Sequence, residues 1–489
     1  MFLGLDLGTS NIKVLVVDTN GSIVGQGAAS VERINTPDGG VEQDIEQIWN
    51  ATCQAIRQAT EQAGGRQIRA VGVSSQGGAL QLLDDGNRPL GPVISWLDRR
   101  GKPFNHRLEQ RLGEAYLISH TGCNFMGMTP GQILRLHEQS PALLAAARSI
   151  GFVGDVIVGR LCGRRAHDPT SLSIAMLFNP SLGREDTDLL AELGIQDKPL
   201  PDLLQATESA GSLQNDLARD LGLPGGIPVS PAVHDQYAAS LGAGAVGEGD
   251  VLVGTGTAWV LLAVTGRLAP PIAKRTFVCP HPVDGLFGQL LSMGNGGSAL
   301  EWVLKITGQH ELDPASLDEL LASVAPGAEG LLFWPLLASN EPTVSLSLPG
   351  GQLAGLAMRH SAGHLTRAVV EGMACELTRH LDWLTKAGFE ARRLIMTGHA
   401  ARSQVTPQVV ADVADRSVTC VERSEVSSLG AAMIARSLVE TGPLADLAKS
   451  LVPDYRTVVP DTNRDTYQDL FRQYVAAFLD RDRKKTESP

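Results

Sequence analysis

Apolar positions at the start of the chain come in short runs separated by polar turns. Residues 2–5 form one run, Gly8-Thr9-Ser10-Asn11 a turn, residues 14–17 a second run, and Asp18-Thr19-Asn20-Gly21 a turn into a third run at 23–27. Runs of this length bounded by Gly, Asn and Asp predict three strands joined by tight turns. The period then changes: over residues 44–63, Ile45, Ile48, Trp49, Thr52, Ile56 and Ala59 recur at three- and four-residue spacing, which predicts a helix with one buried face. Strands are expected again at 70–73 and 80–83. Strands alternating with helices predict an α/β protein.

A similar element returns near residue 250, where Asp250-Val251-Leu252-Val253 leads through Gly256-Thr257 into an apolar run at 259–264. The two Gly-Thr pairs are separated by 256 − 8 = 248 residues, about half the chain. A duplicated architecture is expected, each half opening with a hairpin that carries Gly-Thr at its turn. Pro224-Gly225-Gly226-Ile227-Pro228 and Pro231 suit a crossing between domains, and the boundary is placed near 240, giving domains 1–240 and 241–489. A strand at 393–396 and a helix at 405–413 are expected later, and an amphipathic helix at 465–479 ahead of a frayed tail.

Composition narrows the function classes. A chain of 489 residues has room for two to four domains. Lys and Arg number 41 against 53 Asp and Glu, a net charge of −12 that argues against nucleic acid or an anionic membrane as the main partner. The longest apolar stretch, residues 251–264, is interrupted by Gly254-Thr255-Gly256-Thr257 and falls short of the ~20 residues needed to span a bilayer. The N-terminus enters Phe2-Leu3-Gly4-Leu5-Asp6 with no basic region before it, so a cytoplasmic location is expected. The six cysteines are scattered without paired spacing and read as reduced core thiols.

Three segments could carry chemistry. In Asp6-Leu7-Gly8-Thr9-Ser10-Asn11-Ile12-Lys13, glycine lets the backbone turn closely against a phosphate, Thr9 and Ser10 add donors, Lys13 adds charge, and Asp6 could hold hydrated Mg²⁺; a plain β-turn is the other reading. In the second hairpin Gly254 takes the place of Asp6, so only the first hairpin could present a carboxylate to a metal. Asp235, in Val233-His234-Asp235-Gln236, begins a small-residue helix whose N-terminal field would keep it ionised and able to accept a proton, or it is a helix cap. Thr397-Gly398-His399-Ala400-Ala401-Arg402-Ser403, between a strand and a helix, suits a nucleotide or is a simple turn.

Together these residues resemble the FGGY carbohydrate kinases of the actin, hexokinase and Hsp70 superfamily, over nearly the whole chain. Residues 6–18 are similar to the family's first phosphate motif, and residues 73–83 with Ile94-Ser95-Trp96-Leu97-Asp98-Arg99-Arg100 to its sugar-pocket strands. Residues 234–244 resemble the segment with the catalytic Asp, Gly256-Thr257 the second phosphate motif, and residues 398–403 with Ala411-Asp412-Val413 and Ser428-Leu429-Gly430-Ala431-Ala432 the adenosine site. The most specific likeness is Gly351-x-Leu353-x-Gly355-Leu356, seven residues, then His364-Leu365-x-x-Ala368-Val369-Val370-Glu371, which is similar to the family's C-terminal signature.

The resemblance implies two RNase H-like α/β domains with a cleft between them, and transfer of the γ-phosphoryl group of ATP, with Mg²⁺, to a hydroxyl of a ketose or polyol. Asp235 would be the catalytic base and Asp6 the metal ligand through water. Gly8, Thr9, Ser10, Lys13, Gly256 and Thr257 would hold the phosphates, and Gly398, His399, Ala400 and Ser403 the nucleoside. Gln76, Gly77, Gly78, Trp96, Asp98 and Gln236 would face the sugar. The partner is a small-molecule sugar or polyol, with room left for a homodimer. A sugar-binding protein without phosphotransfer and an ATPase switch are the other classes, separated by whether ADP release depends on sugar.

The chain also departs from the family pattern. Gln76-Gly77-Gly78-Ala79 stands where xylulose kinases usually have Gln-Met-His-Gly, which predicts an enlarged sugar pocket and an acceptor other than xylulose, unless other side chains reach into the space. Gln132 and Arg135 replace a usual Lys and Trp, Ala258-Trp259 a usual Ser-Gly, and His399 and Ala400 two usual glycines, so crowding of the nucleotide is expected at that loop.

Overall fold

The computed structural model describes residues 1–64, 67–337, 350–450 and 455–486. It opens with β1 (Phe2–Leu7), β2 (Asn11–Val17) and β3 (Ile23–Ser30), then α1 (Ile45–Gln62), β4 (Ala70–Ser75), β5 (Pro228–His234) and α2 (Asp235–Gly242). The second half repeats the plan with β6 (Asp250–Thr255), β7 (Trp259–Thr265), β8 (Phe287–Ser292), α3 (Gly297–Ile306), α4 (Pro314–Ala322), β9 (Arg393–Gly398), α5 (His399–Arg402), α6 (Thr406–Ala414), β10 (Val418–Val421) and α7 (Val426–Ser437). The first sheet runs β3-β2-β1-β4-β5 and the second β8-β7-β6-β9-β10. In each, three antiparallel strands are followed by two that pair in parallel. These are two RNase H-like α/β domains with a cleft between them.

Strand period decides what each face of β1 does. Leu3, Leu5 and Leu7 point into the core beneath α1, each contributing roughly 1.5–3 kcal/mol by burial. Phe2 points the other way, into the core shared by the two domains, and the two-residue repeat puts Gly4 and Asp6 on that face with it. Asp6 therefore ends the strand towards the cleft. α1 begins where Asp44 accepts a hydrogen bond from the amide of Glu46, 2.9 Å away, and it buries Ile45, Ile48, Thr52, Ile56 and Ala59 as expected, with Trp49 half-buried.

The two domains exchange helices. α2 follows β5 of the first sheet, yet Ala238 and Leu241 pack among Leu252, Leu262 and Ile395 of the second. α7 follows β10 of the second sheet and lies on β1 and β4 of the first. The pair cross so closely that a methyl group on Gly430 would run into the carbonyl oxygen of Ala238.

A smaller sheet containing Val41–Gln43, Leu80–Leu83, Pro89–Ile94 and Ser149–Phe152 stands over the first domain. The terminal helix spans Arg464–Thr486, longer than expected, and residues 487–489 of the tail lie outside the described residues. All six cysteines are free thiols. Among the described residues no helix is long and apolar enough to cross a membrane.

Candidate active site

Two carboxylates meet at the floor of the cleft, one from each kind of element. Asp6 ends β1 opposite Lys13 of β2, and its Oδ1 accepts a hydrogen bond from Ser74 Oγ at 2.8 Å. Burial, reinforced by the charge of Asp235, pushes its carboxyl up to about 6. Asp235 lies in the first turn of α2. Its side chain keeps 28% exposure, enough to be met from the cleft, and burial pushes its carboxyl to about 6 as well. A carboxylate so placed accepts a proton near neutral pH. Among the described residues no three His, Cys, Asp or Glu side chains converge on one point.

The first turn is tied to the sugar-side strands. Thr9 Oγ1 accepts from Trp96 Nε1 at 2.9 Å and donates to Gln76 Oε1 at 3.1 Å. Trp96 is 43% exposed, so its free edge faces the cleft. Gln43, absent from the sequence reading, binds both Gln76 and the carbonyl of Thr9; no local pattern marks it, because its partners are brought together only by the small sheet.

A cavity of about 360 Å³ lies beside Trp96, lined by Gly78, Asn105, Phe125 and Met128 from the first domain and Arg275 and Ser292 from the second. The expectation of an enlarged pocket changes here. The space above Gly77 is taken: a β-carbon there would stand 2.5 Å from His234 Cδ2 and 2.5 Å from Ile174 Cγ2. Gly78 has φ +70° with Met128 Sδ 3.3 Å from where its β-carbon would be, so neighbouring side chains fill what the two glycines leave and no enlarged pocket results.

Asp98 borders this cavity, but its carboxylate is already engaged by protein donors. The carboxylate is fully buried and accepts from Arg100 Nη2 at 2.6 Å, Gln132 Nε2 at 3.2 Å and the Val41 amide at 3.1 Å. Gln132 and Arg135 thus join this structural network, Arg135 Nε donating to Gln132 Oε1 at 2.8 Å. Gln236 is half-buried, with its Oε1 beside Gly254 of the second hairpin and its side chain hydrogen-bonded to the Asp235 carboxylate.

On the second domain a cavity of about 750 Å³ has an apolar wall that includes Leu300, Leu321, Val370 and Met373, and a polar edge of Asp318, His399, Ser403 and Gln404. It adjoins a smaller cavity that reaches Gly256 and Thr257. Gly398 has φ +91° beside the carbonyl of Thr255, and the Ala400 amide donates to Thr255 Oγ1 at 3.1 Å. His399 is exposed where the two cavities join. Ser403 donates to Asp318 at 2.6 Å and accepts from the amides that open α6. Trp259 is buried, so the large side chain in the second motif packs inward instead of blocking the phosphate turn.

Comparison with known proteins fits this layout of two cavities about a cleft. Residues 1–242 match the model of the N-terminal domain, and residues 253–437 that of the C-terminal domain, of the FGGY family of carbohydrate kinases. The chain belongs to that family.

The kinase is 27% identical to the xylulose kinase of Escherichia coli (strain K12), over 97% of this chain and 99% of the other. It is 28% identical to the L-xylulose/3-keto-L-gulonate kinase of the same organism, over 97% and 95%. The crystal structure of xylulose kinase from Rhodospirillum rubrum superposes with a TM-score of 0.87 at 26% identity, covering 98% of each chain. The enzyme's reaction is ATP-dependent phosphorylation of a sugar. Neither a binding protein nor an ATPase switch finds support among these relatives.

Proposed function

We propose that the kinase transfers the γ-phosphoryl group of ATP to a hydroxyl of a ketose or polyol, with Asp235 as the catalytic base. The observation that carries this reading is a partly exposed carboxylate in the first turn of α2, raised to about 6 and near enough to Asp6 for its charge to raise that carboxyl too. Asp235 orients the acceptor hydroxyl and takes its proton as the new P–O bond forms and the bond to ADP breaks. Such transition states are loose, so placement and charge neutralisation supply most of the rate.

Asp6 suits hydrated Mg²⁺. Its carboxyl is half-buried, pushed up in pKa, and close to a second carboxylate, an arrangement that a divalent cation relieves. When bound, the ion would neutralise charge on the transferring phosphoryl group. Gly8, Thr9, Ser10 and Lys13 hold the phosphates from one side, and Gly256 and Thr257 from the other. The 750 Å³ cavity takes the nucleoside, its apolar wall against the base and Gly398, His399 and Ala400 along its edge. Sugar binding falls mainly to residues 1–240 and nucleotide binding to 241–489.

A coupled ADP-release assay over a panel of ketoses, polyols and aldonic acids, with a no-sugar control, tests the reading. Turnover that requires a ketose or polyol is expected. Turnover with an aldonic acid alone would overturn the substrate class, and sugar-independent turnover the transfer itself.

A further inference from the structure

Thr9, Gln76 and Gln43 close a ring of hydrogen bonds at the first phosphate turn, and Trp96 donates into it from outside. Trp96 Nε1 donates to Thr9 Oγ1 (2.9 Å), Thr9 Oγ1 to Gln76 Oε1 (3.1 Å), Gln76 Nε2 to Gln43 Oε1 (3.1 Å), and Gln43 Nε2 to the Thr9 carbonyl (3.0 Å). The chemistry of the groups sets the direction. An indole N–H can only donate, so the Thr9 hydroxyl accepts there; an amide oxygen can only accept, so the Thr9 proton is directed at Gln76. Gln43 is fully buried and Gln76 is 4% exposed, which leaves water no ready access to replace either amide. Trp96 alone is well exposed, and it borders the sugar-side cavity.

We propose that this circuit is a latch that withholds the Thr9 hydroxyl from the phosphates until a sugar draws Trp96 away, with Gln43 as its positioning residue. The inference rests on the reading of residues 8–10 as a phosphate turn. While Trp96 donates to it, the Thr9 hydroxyl is pinned and its bond to Gln76 is strengthened, because hydrogen bonds in a chain polarise one another. A sugar hydroxyl that accepts from the indole takes this donor away from the ring and weakens the bond from Thr9 to Gln76. Thr9 then donates to a phosphate oxygen, which competes better than a neutral amide because bonds to charged acceptors are the stronger ones. The nucleotide is held fully only with the acceptor in place, which limits hydrolysis by water. Gln43 acts by anchoring Gln76, keeping the amide oxygen and not the NH₂ towards Thr9.

The test is calorimetric titration of the non-hydrolysable analogue AMP-PNP with Mg²⁺ in the absence of sugar. Gln43→Met and, separately, Trp96→Phe should each tighten binding about tenfold, the scale of one hydrogen bond to a charged group. Adding Thr9→Val should erase the gain. A merely structural Gln43 gives the opposite sign, since a disturbed turn binds more weakly. Sugar-independent ATP hydrolysis should rise in the same two variants. If the wild type binds AMP-PNP and both variants bind it equally or more weakly, the latch is wrong while the phosphate-turn reading stands; if Gln43→Met does not fold, Trp96→Phe alone decides between these outcomes. If the wild type does not bind AMP-PNP even when an accepted sugar is present, the phosphate-turn reading fails and the latch with it.

Discussion

Nε2 of His234 stands 3.4 Å from Oδ1 of Asp235, and the imidazole is neutral because burial pushes its pKa down to about 3. A charged imidazolium at that distance would hold the neighbouring carboxylate low. The neutral ring leaves burial free to raise Asp235 to about 6. Burial thus favours the neutral form of both adjacent residues, moving the imidazole's pKa down and the carboxyl's up, and the raised carboxylate is the stronger base of the two.

Replacing that base isolates its task. Asp235→Asn keeps the shape and loses the proton acceptor, so turnover should fall by ~10²-fold or more while calorimetry still detects sugar and AMP-PNP binding. Near-normal turnover would remove Asp235 from the role.

The base must be ionised to work, so kcat/KM should fall at least tenfold per pH unit below about 6 in the wild type, and more steeply where Asp6, raised to about 6 as well, titrates with it. His234→Gln should leave that acid limb in place, because the ring it replaces carries no charge at these pH values. A limb displaced by a full unit in the variant would show that the imidazole is charged in the native enzyme.

The same shift has a sign for stability. A carboxyl raised from 3.8 to about 6 on folding binds more protons in the native state between those values, so the protein loses stability as pH rises from about 4 to about 6. Asp235→Asn avoids that loss. It should be more stable than the wild type at pH 7 by on the order of 1–3 kcal/mol, read as a higher melting temperature, and the advantage should vanish near pH 4. Equal melting at pH 7 would mean that the carboxylate is already compensated.

Gly77 is closed to side chains by His234 and Ile174. Gly77→Ala should therefore destabilise the fold by ~1–3 kcal/mol, read as a lowered melting temperature, and His234→Ala should restore part of it in the double variant. Purely additive losses would show that the two positions do not touch. Restoring the Met and His of the xylulose kinases at 77 and 78 should damage the site and not switch its substrate.

Gly398 carries φ +91°, a conformation strained for any L side chain, and Thr255 caps the loop beyond it. Gly398→Ala should raise the KM for ATP about tenfold, a loss of ~1.4 kcal/mol, with the sugar KM little changed. A larger effect on the sugar would place this loop elsewhere than along the nucleotide.

Much of the fold is legible from local pattern. The runs at 2–5, 14–17 and 251–253 alternate faces as strands must, and Asp44 followed by a period of three to four announces α1, because both signals depend only on neighbouring residues. The repeated Gly-Thr turns pointed to two similar halves, and the sheets have the same order. The exchange of α2 and α7 between the halves was not legible. It depends on Gly430 meeting Ala238, a contact between segments far apart in the chain.

The site divides along the same line. Asp6, Thr9 and Asp235 stood out because a strand end, a turn and a helix start declare themselves in a few residues. Asp98 looked equally polar, yet Arg100, Gln132 and Val41 consume its carboxylate. Gly77 and Gly78 read as vacated space, yet His234 and Met128 occupy it. By itself the sequence determined the alternation of elements, the duplication and the residue types at the turns, since backbone hydrogen bonding and side-chain period act over short spans. Only the tertiary structure decided which polar groups remain available to a ligand and which are already paired, because pairing and free volume depend on what distant segments bring to the same few ångströms.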